Sequence, residues 1–393
     1  MTKMRSIPIK HITSLFDINK DIKLICLSGF VFFFGDGLFT FVLPVYIRQL
    51  NASPTNVGML YAVYYLSLGA TIIFGGLLAD HFDAKKILIM NAFLWVPVPI
   101  ALVFATNWQQ LWLPMLLYGT FFASPALFIY ILKSAARGKV MQAFSIWSIS
   151  TALGYIFSPL IGGTIAYTMG KQTVFALASI FYIGSISPLF FISKQPKREN
   201  KVEKTAPQFF RGKVIKSTRL IFICCFFAVT SFSICLLQPF IFQFTHGVYH
   251  QTIFSLGVFG TLTSVGWIFF SIGFGKLGYK KSKMDAVIAS IIVSIFSFSF
   301  IVLIDNFVFL CFASFLSGAS NIIIYFMGGV IGCAAPEQSA GRWIAICQAC
   351  MTFAGVSAPI IGGVLYELSP YLAFWATILI LSGLAIIGLS KKL

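Results

Sequence analysis

The chain has 393 residues, 58% of them hydrophobic and only 10% charged, at a mean hydropathy of +0.91. Soluble globular proteins carry roughly 25% charged residues, so a water-soluble enzyme or binding domain is excluded and a chain that lives in a bilayer is implied. The net charge of +17 would suit nucleic acid if it formed one folded surface, but the basic residues lie between and beyond apolar stretches, which removes that class.

In chain order, the first element is a basic tail over residues 1–21. It lacks a short apolar core followed by a small-residue cleavage site and reads as a retained cytoplasmic tail. Twelve apolar stretches follow, starting near Ile22, Thr55, Ile87, Trp108, Val140, Thr173, Thr218, Thr252, Asp285, Phe307, Trp343 and Pro370. A helix needs about 20 apolar residues to span a bilayer. Segments such as "IFICCFFAVTSFSICLLQPFIF" are apolar on every face and too long for barrel strands, which alternate. Of the 28 Lys and Arg residues, all but Arg48 and Lys171 fall on the tail side. The positive-inside rule then places both termini in the cytoplasm and makes this a multi-pass protein of the plasma (inner) membrane, solvated by lipid.

The first span reads "FVFFFGDGLFTFVLP" and holds Asp36 near its centre, the one carboxylate at mid-membrane; the ten other acids fall at span ends, in loops or in the tail. An ionised acid there costs about 2.5–3.5 kcal/mol on insertion scales, and such residues usually face a polar cavity and serve transport. A carboxylate that takes a proton in one conformation and gives it up in another is a minimal coupling device. With no Lys or Arg in the membrane to pair with, Asp36 is expected to be neutral when occluded. Two other readings stay open: bonding to backbone groups freed by Gly35 and Gly37 in a locally broken helix, or binding of Na⁺ or a metal cation.

After the second span comes "GGLLADHFDAKKIL". Gly76, Leu78, Ala79, Asp80 and Lys85 match the signature Gly-x-Leu-Ala-Asp-Arg-x-Gly-Arg-Lys, and here the chain resembles the major facilitator superfamily. His81, Asp83 and Ala84 depart from that signature, which thins its basic cluster. The resemblance implies secondary transport by alternating access, with Gly76, Asp80, Lys85 and Lys86 as a cytoplasmic gate whose carboxylate meets its partners in one conformation only. The stretch after the eighth span, "GFGKLGYKKSKMD", has no acid at the Asp80 position, so the gate is expected to be asymmetric. The fourth span carries no charge, unlike many drug–proton exporters, which place an arginine there. The fifth span holds "GYIFSPLIGG", in which Gly154, Pro159, Gly162 and Gly163 resemble the motif associated with proton-coupled exporters of the superfamily. A packing and bending role competes with an export-specific one.

The basic linker 193–217 divides the chain into six-span halves, 22–192 and 218–393. "SPLIGG" in the fifth span and "APIIGG" in the eleventh place Pro359, Gly362 and Gly363 at a uniform offset of 200 from Pro159, Gly162 and Gly163, as an internal repeat requires. The expected fold is an all-α membrane protein of twelve transmembrane helices in two six-helix bundles related by a pseudo-twofold axis, with a substrate site where the bundles meet. In that cavity Tyr64, Trp147, Gln238, Trp267, Asn321, Tyr325 and Gln348 are candidate lining residues. The eight cysteines all lie in spans and read as small packing residues; no metal site or cofactor is expected.

These observations point to a monomeric transporter of the drug/proton antiporter-like branch, exporting a small apolar or cationic compound in exchange for protons. Proton-coupled uptake or facilitated diffusion of a nutrient or siderophore is the first alternative, and a receptor that has lost transport the second. No nucleotide-binding loop or catalytic constellation points to ATP-driven transport or an enzyme.

Overall fold

A computed structural model describes residues 19–135, 140–194, 218–280, 282–336 and 340–390. The tail before residue 19 and the linker from 195 to 217 lie outside the described residues. Among those described, every regular element is a helix, and twelve segments are long and apolar enough to cross a bilayer. They are α1 (Lys20–Phe39), α2 (Pro54–Gly76), α3 (Ala84–Phe104), α4 (Trp108–Ser134), α5 (Gln142–Thr168), α6 (Lys171–Phe190), α7 (Thr218–Gly247), α8 (Ile253–Tyr279), α9 (Lys283–Leu303), α10 (Phe307–Ala334), α11 (Trp343–Leu368) and α12 (Pro370–Ser390). Each begins within three residues of the expected start.

Side chains with local acceptors set several helix starts. Ser53 accepts from the Asn56 N–H at 3.2 Å, and Asn306 accepts from Val308 N–H at 3.0 Å. α4 and α10 are interrupted at corresponding places in the two halves. α4 breaks after Tyr118 at Gly119, and α10 breaks after Ser317 at Gly318. Both glycines sit where another helix presses close: a Cβ at Gly119 would stand 2.2 Å from the Tyr64 carbonyl oxygen, and one at Gly318 2.2 Å from the Trp267 nitrogen.

The halves pack as two six-helix bundles, and the repeat is visible contact by contact. A Cβ at Gly162 would fall 1.9 Å from the Leu38 carbonyl oxygen of α1, and one at Gly362 would fall 2.1 Å from that of Leu236 in α7. Gly257 of α8 meets the Pro159 carbonyl of α5, while Gly58 of α2 meets the Pro359 carbonyl of α11. Gly163 lies against Gly257, and Gly363 against Pro54 and Thr55. The first pair in this series holds α5 and α11 inside their own bundles, and the others join the bundles across the pseudo-twofold axis. Small residues allow such backbone approach in lipid, where apolar burial gives little drive to helix association.

These cross-bundle approaches lie between the membrane centre and the ends of the helices opposite the tail. There Thr55 Oγ1, at the start of α2, donates to Glu367 Oε2, at the end of α11 (2.5 Å). The α2–α11 contact continues inward to Gly69 against Thr352. Two turns further toward the tail, a Cβ at Gly76 would meet nothing within 4 Å. The bundles are therefore sealed on the side away from the tail.

Candidate functional site

Asp36 is 4% exposed and lies within the N-terminal bundle. The glycines around it explain how it is surrounded. α1 runs unbroken through Gly35, Asp36 and Gly37, so these glycines do not free backbone groups for the carboxylate. They let neighbouring helices approach: a Cβ at Gly35 would stand 2.7 Å from Phe181 Cβ on α6, and one at Gly37 would stand 2.0 Å from Ser158 Oγ on α5. Ser158 fits there because position 37 has no side chain. Its hydroxyl donates to the Gly154 carbonyl at 2.7 Å.

That approach delivers three tyrosines to one carboxylate. Tyr118 of α4 and Tyr182 of α6 each donate to Asp36 Oδ1 at 2.8 Å, and Tyr155 of α5 donates to Oδ2. Thr40 Oγ1 stands 3.1 Å from Oδ2 but 2.7 Å from the Asp36 carbonyl, and its one proton serves both. Tyr118 is the last residue before the α4 break. Phenylalanine rings close the surroundings: Phe32 lies 4.7 Å from the Tyr182 ring and Phe39 5.8 Å from that of Tyr118.

Magnitudes decide what this cage does. A hydrogen bond to a charged group contributes about 1.5–3 kcal/mol, so the three phenolic donors offset part of the cost of placing the acid in the membrane. These hydroxyls are able to hold the charged form, and the protonated form requires one of them to turn from donor to acceptor. Among the described residues, no three His, Cys, Asp or Glu side chains converge as a metal site.

Aromatic contacts lead from the cage to the other bundle. The Tyr118 ring lies 5.2 Å from Tyr64, Tyr64 lies 5.1 Å from Tyr65, and Tyr65 donates to Gln238 Oε1 on α7 at 2.5 Å. Of the expected cavity residues, Tyr64 and Gln238 thus join one chain with Asp36. Trp267 and Tyr325 stack on each other in the C-terminal bundle at 5.8 Å, Tyr325 being 66% exposed. Trp147 packs instead beside Gly29 and Phe33 of α1. Asn321 sits half-buried in the short turn Ser320–Ile322. Gln348 is half-buried on α11, its carbonyl accepting from Thr352 at 2.9 Å. Ser231 of α7 donates to the Met351 carbonyl at 3.2 Å, and among the described residues the C-terminal half has no carboxylate at this level.

The loop between α2 and α3 is tied within its own bundle. Asp83 caps the helix that opens α3, accepting from Lys85 N–H at 2.9 Å. Lys85 Nζ donates to the carbonyls of Phe190 and Ile192 at 2.6 and 2.7 Å, placing a cation at the negative end of α6. Lys86 is exposed, and the Asp80 side chain lies outside the described residues.

The partners of Asp36 are what sequence reasoning missed. Thr40 stands one helical turn from Asp36, Tyr155 lies inside the quoted motif of the fifth span, and Tyr118 precedes the α4 break. Counting depth along spans four to six would have found all three tyrosines near mid-membrane.

Comparison with known proteins gives consistent results. The family model described as Major Facilitator Superfamily matches residues 25–326. Multidrug resistance protein MdtG of Proteus mirabilis (strain HI4320) is 26% identical over 341 residues, covering 81% of this chain and 82% of the relative. Multidrug resistance protein 2 of Bacillus subtilis (strain 168) is 22% identical over 95% of this chain and 96% of its own length. A crystal structure of the nucleoside transporter NupG superposes with a TM-score of 0.78 at 12% identity, over 94% of this chain and 98% of that one.

Proposed function

The chain belongs to the Major Facilitator Superfamily of transporters, and on that premise we propose that it exports a small apolar or cationic compound across the plasma (inner) membrane in exchange for protons. The observation that carries this reading is Asp36, a buried carboxylate without a cation, held by three tyrosine hydroxyls from three helices. Export is supported by the names of the two multidrug resistance relatives. The basic residues on the tail side support a cytoplasmic tail, so the seal at Thr55 and Glu367 faces outward and the described conformation is closed to the outside.

In this state Asp36 gives its proton to the cytoplasm, and the hydroxyls hold the anion that forms. Substrate enters from the cytoplasm, among the aromatic rings of Tyr64, Trp267 and Tyr325. After the bundles rock, substrate leaves outward, Asp36 takes a proton from outside, and the protonated carrier returns. Because the cage lies wholly in the N-terminal bundle, its charge state reaches the other bundle through Tyr64, Tyr65 and Gln238.

Everted vesicles test the reading, with ethidium as the lipophilic cation and amino acids and a ferric siderophore as competing candidates. Ethidium is expected to accumulate when the lumen is acidic and to be released by a protonophore. Siderophore or amino-acid movement down a proton gradient, with no response to ethidium, would favour uptake by symport instead.

A further inference from the structure

A second polar feature lies far from Asp36, at the tail-side end of the C-terminal bundle. The ends of α7, α8, α9 and α10 surround an open cleft of about 280 Å³. Its mouth carries Arg219, the second residue of α7, together with Ser282 and Lys283 at the start of α9. Its wall is apolar, formed by the buried side chains of Ile223, Met284 and Val330. Among the described residues no acidic side chain lines it. Lys283 Nζ points at Cys333 Sγ, and among the described residues neither cation is paired with a carboxylate.

Two helices begin at this cleft and two end there, so their dipoles oppose one another and the side-chain cations set the local field. An arginine fork and a lysine point charge lining one small cleft suit a phosphate. Sites for drug-sized ligands begin at about 300 Å³, so this cleft suits a single headgroup better than a transported drug. Its lining lies at span ends, the level at which lipid phosphates stand. We propose that the cleft binds a phosphate-bearing anion, either the headgroup of an anionic phospholipid or a soluble organic phosphate, between Arg219 and Lys283. This inference does not depend on proton coupling or on the substrate.

The test uses the full chain in lipid nanodiscs. In one arm, native mass spectrometry counts phosphatidylglycerol retained over phosphatidylcholine; in the other, calorimetry measures glycerol phosphate binding in discs of phosphatidylcholine alone. Wild type is compared with Arg219→Gln/Lys283→Gln, with the charge-keeping Arg219→Lys/Lys283→Arg, and with Lys133→Gln, which removes an exposed tail-side cation elsewhere. Binding in either arm is expected to fall about tenfold or more in the double glutamine variant and to persist in the other two, and the responding arm identifies the source. Equal binding by wild type and the double glutamine variant, no binding by wild type in either arm, or equal loss in the charge-keeping variant would overturn the proposal.

Discussion

At the scale of the residue, Asp36 and its hydroxyl donors form one unit, and its members are not equivalent. Replacing the acid removes the proposed proton carrier, whereas replacing one tyrosine removes one of three donors. Asp36→Asn is expected to abolish substrate-induced proton movement. Tyr155→Phe or Tyr182→Phe should reduce it by about tenfold, the equivalent of one charge-assisted bond at the low end of its range. Proton-flux assays on reconstituted protein check the order, and a tyrosine variant as inactive as Asp36→Asn would show that the donors act other than additively. Asp36 was legible in the sequence because a carboxylate among phenylalanines is costly and conspicuous. Its partners were not, because 17% of the chain is aromatic and no single tyrosine stands out until four helices bring their hydroxyls to one point.

At the scale of the element, glycine positions separate close packing from open surface. Gly162→Ala and Gly362→Ala should each lower the thermal midpoint in detergent, since forcing a methyl against Leu38 or Leu236 carbonyl oxygen costs about 1–3 kcal/mol of overpacking. Gly76→Ala, with open space around it, should leave the midpoint unchanged or raise it slightly through better helix propensity. A fall at Gly76 equal to that at Gly162 would contradict this account. The offset of 200 between "SPLIGG" and "APIIGG" revealed which positions correspond. It did not reveal what they touch, because one repeat glycine packs within its bundle and the next packs across the axis, a distinction that depends on helix rotation. The α2–α3 loop shows a similar limit. Its spacing carried the family resemblance, but the role of Lys85 as a cap on α6 depends on where Phe190 and Ile192 end that helix.

At the scale of the whole molecule, alternating access requires the Thr55–Glu367 side to open and close in each cycle. In a background without the native cysteines, Thr55→Cys paired with Glu367→Cys should cross-link under mild oxidation and stop transport, and a reductant should restore it. Transport that continued in the cross-linked protein would mean that α2 and α11 need not separate there. The twelve apolar spans were readable from hydropathy, since their length follows from the bilayer acting as solvent. The side on which the bundles are closed was not, because both conformations use the same sequence and differ only in which helix ends meet. The central claim is that Asp36 carries the exchanged proton. The most direct measurement is substrate-triggered pH change in reconstituted vesicles, made with wild type and Asp36→Asn side by side. The account predicts a pH change with wild type and none with the variant; equal pH changes with both proteins would contradict it.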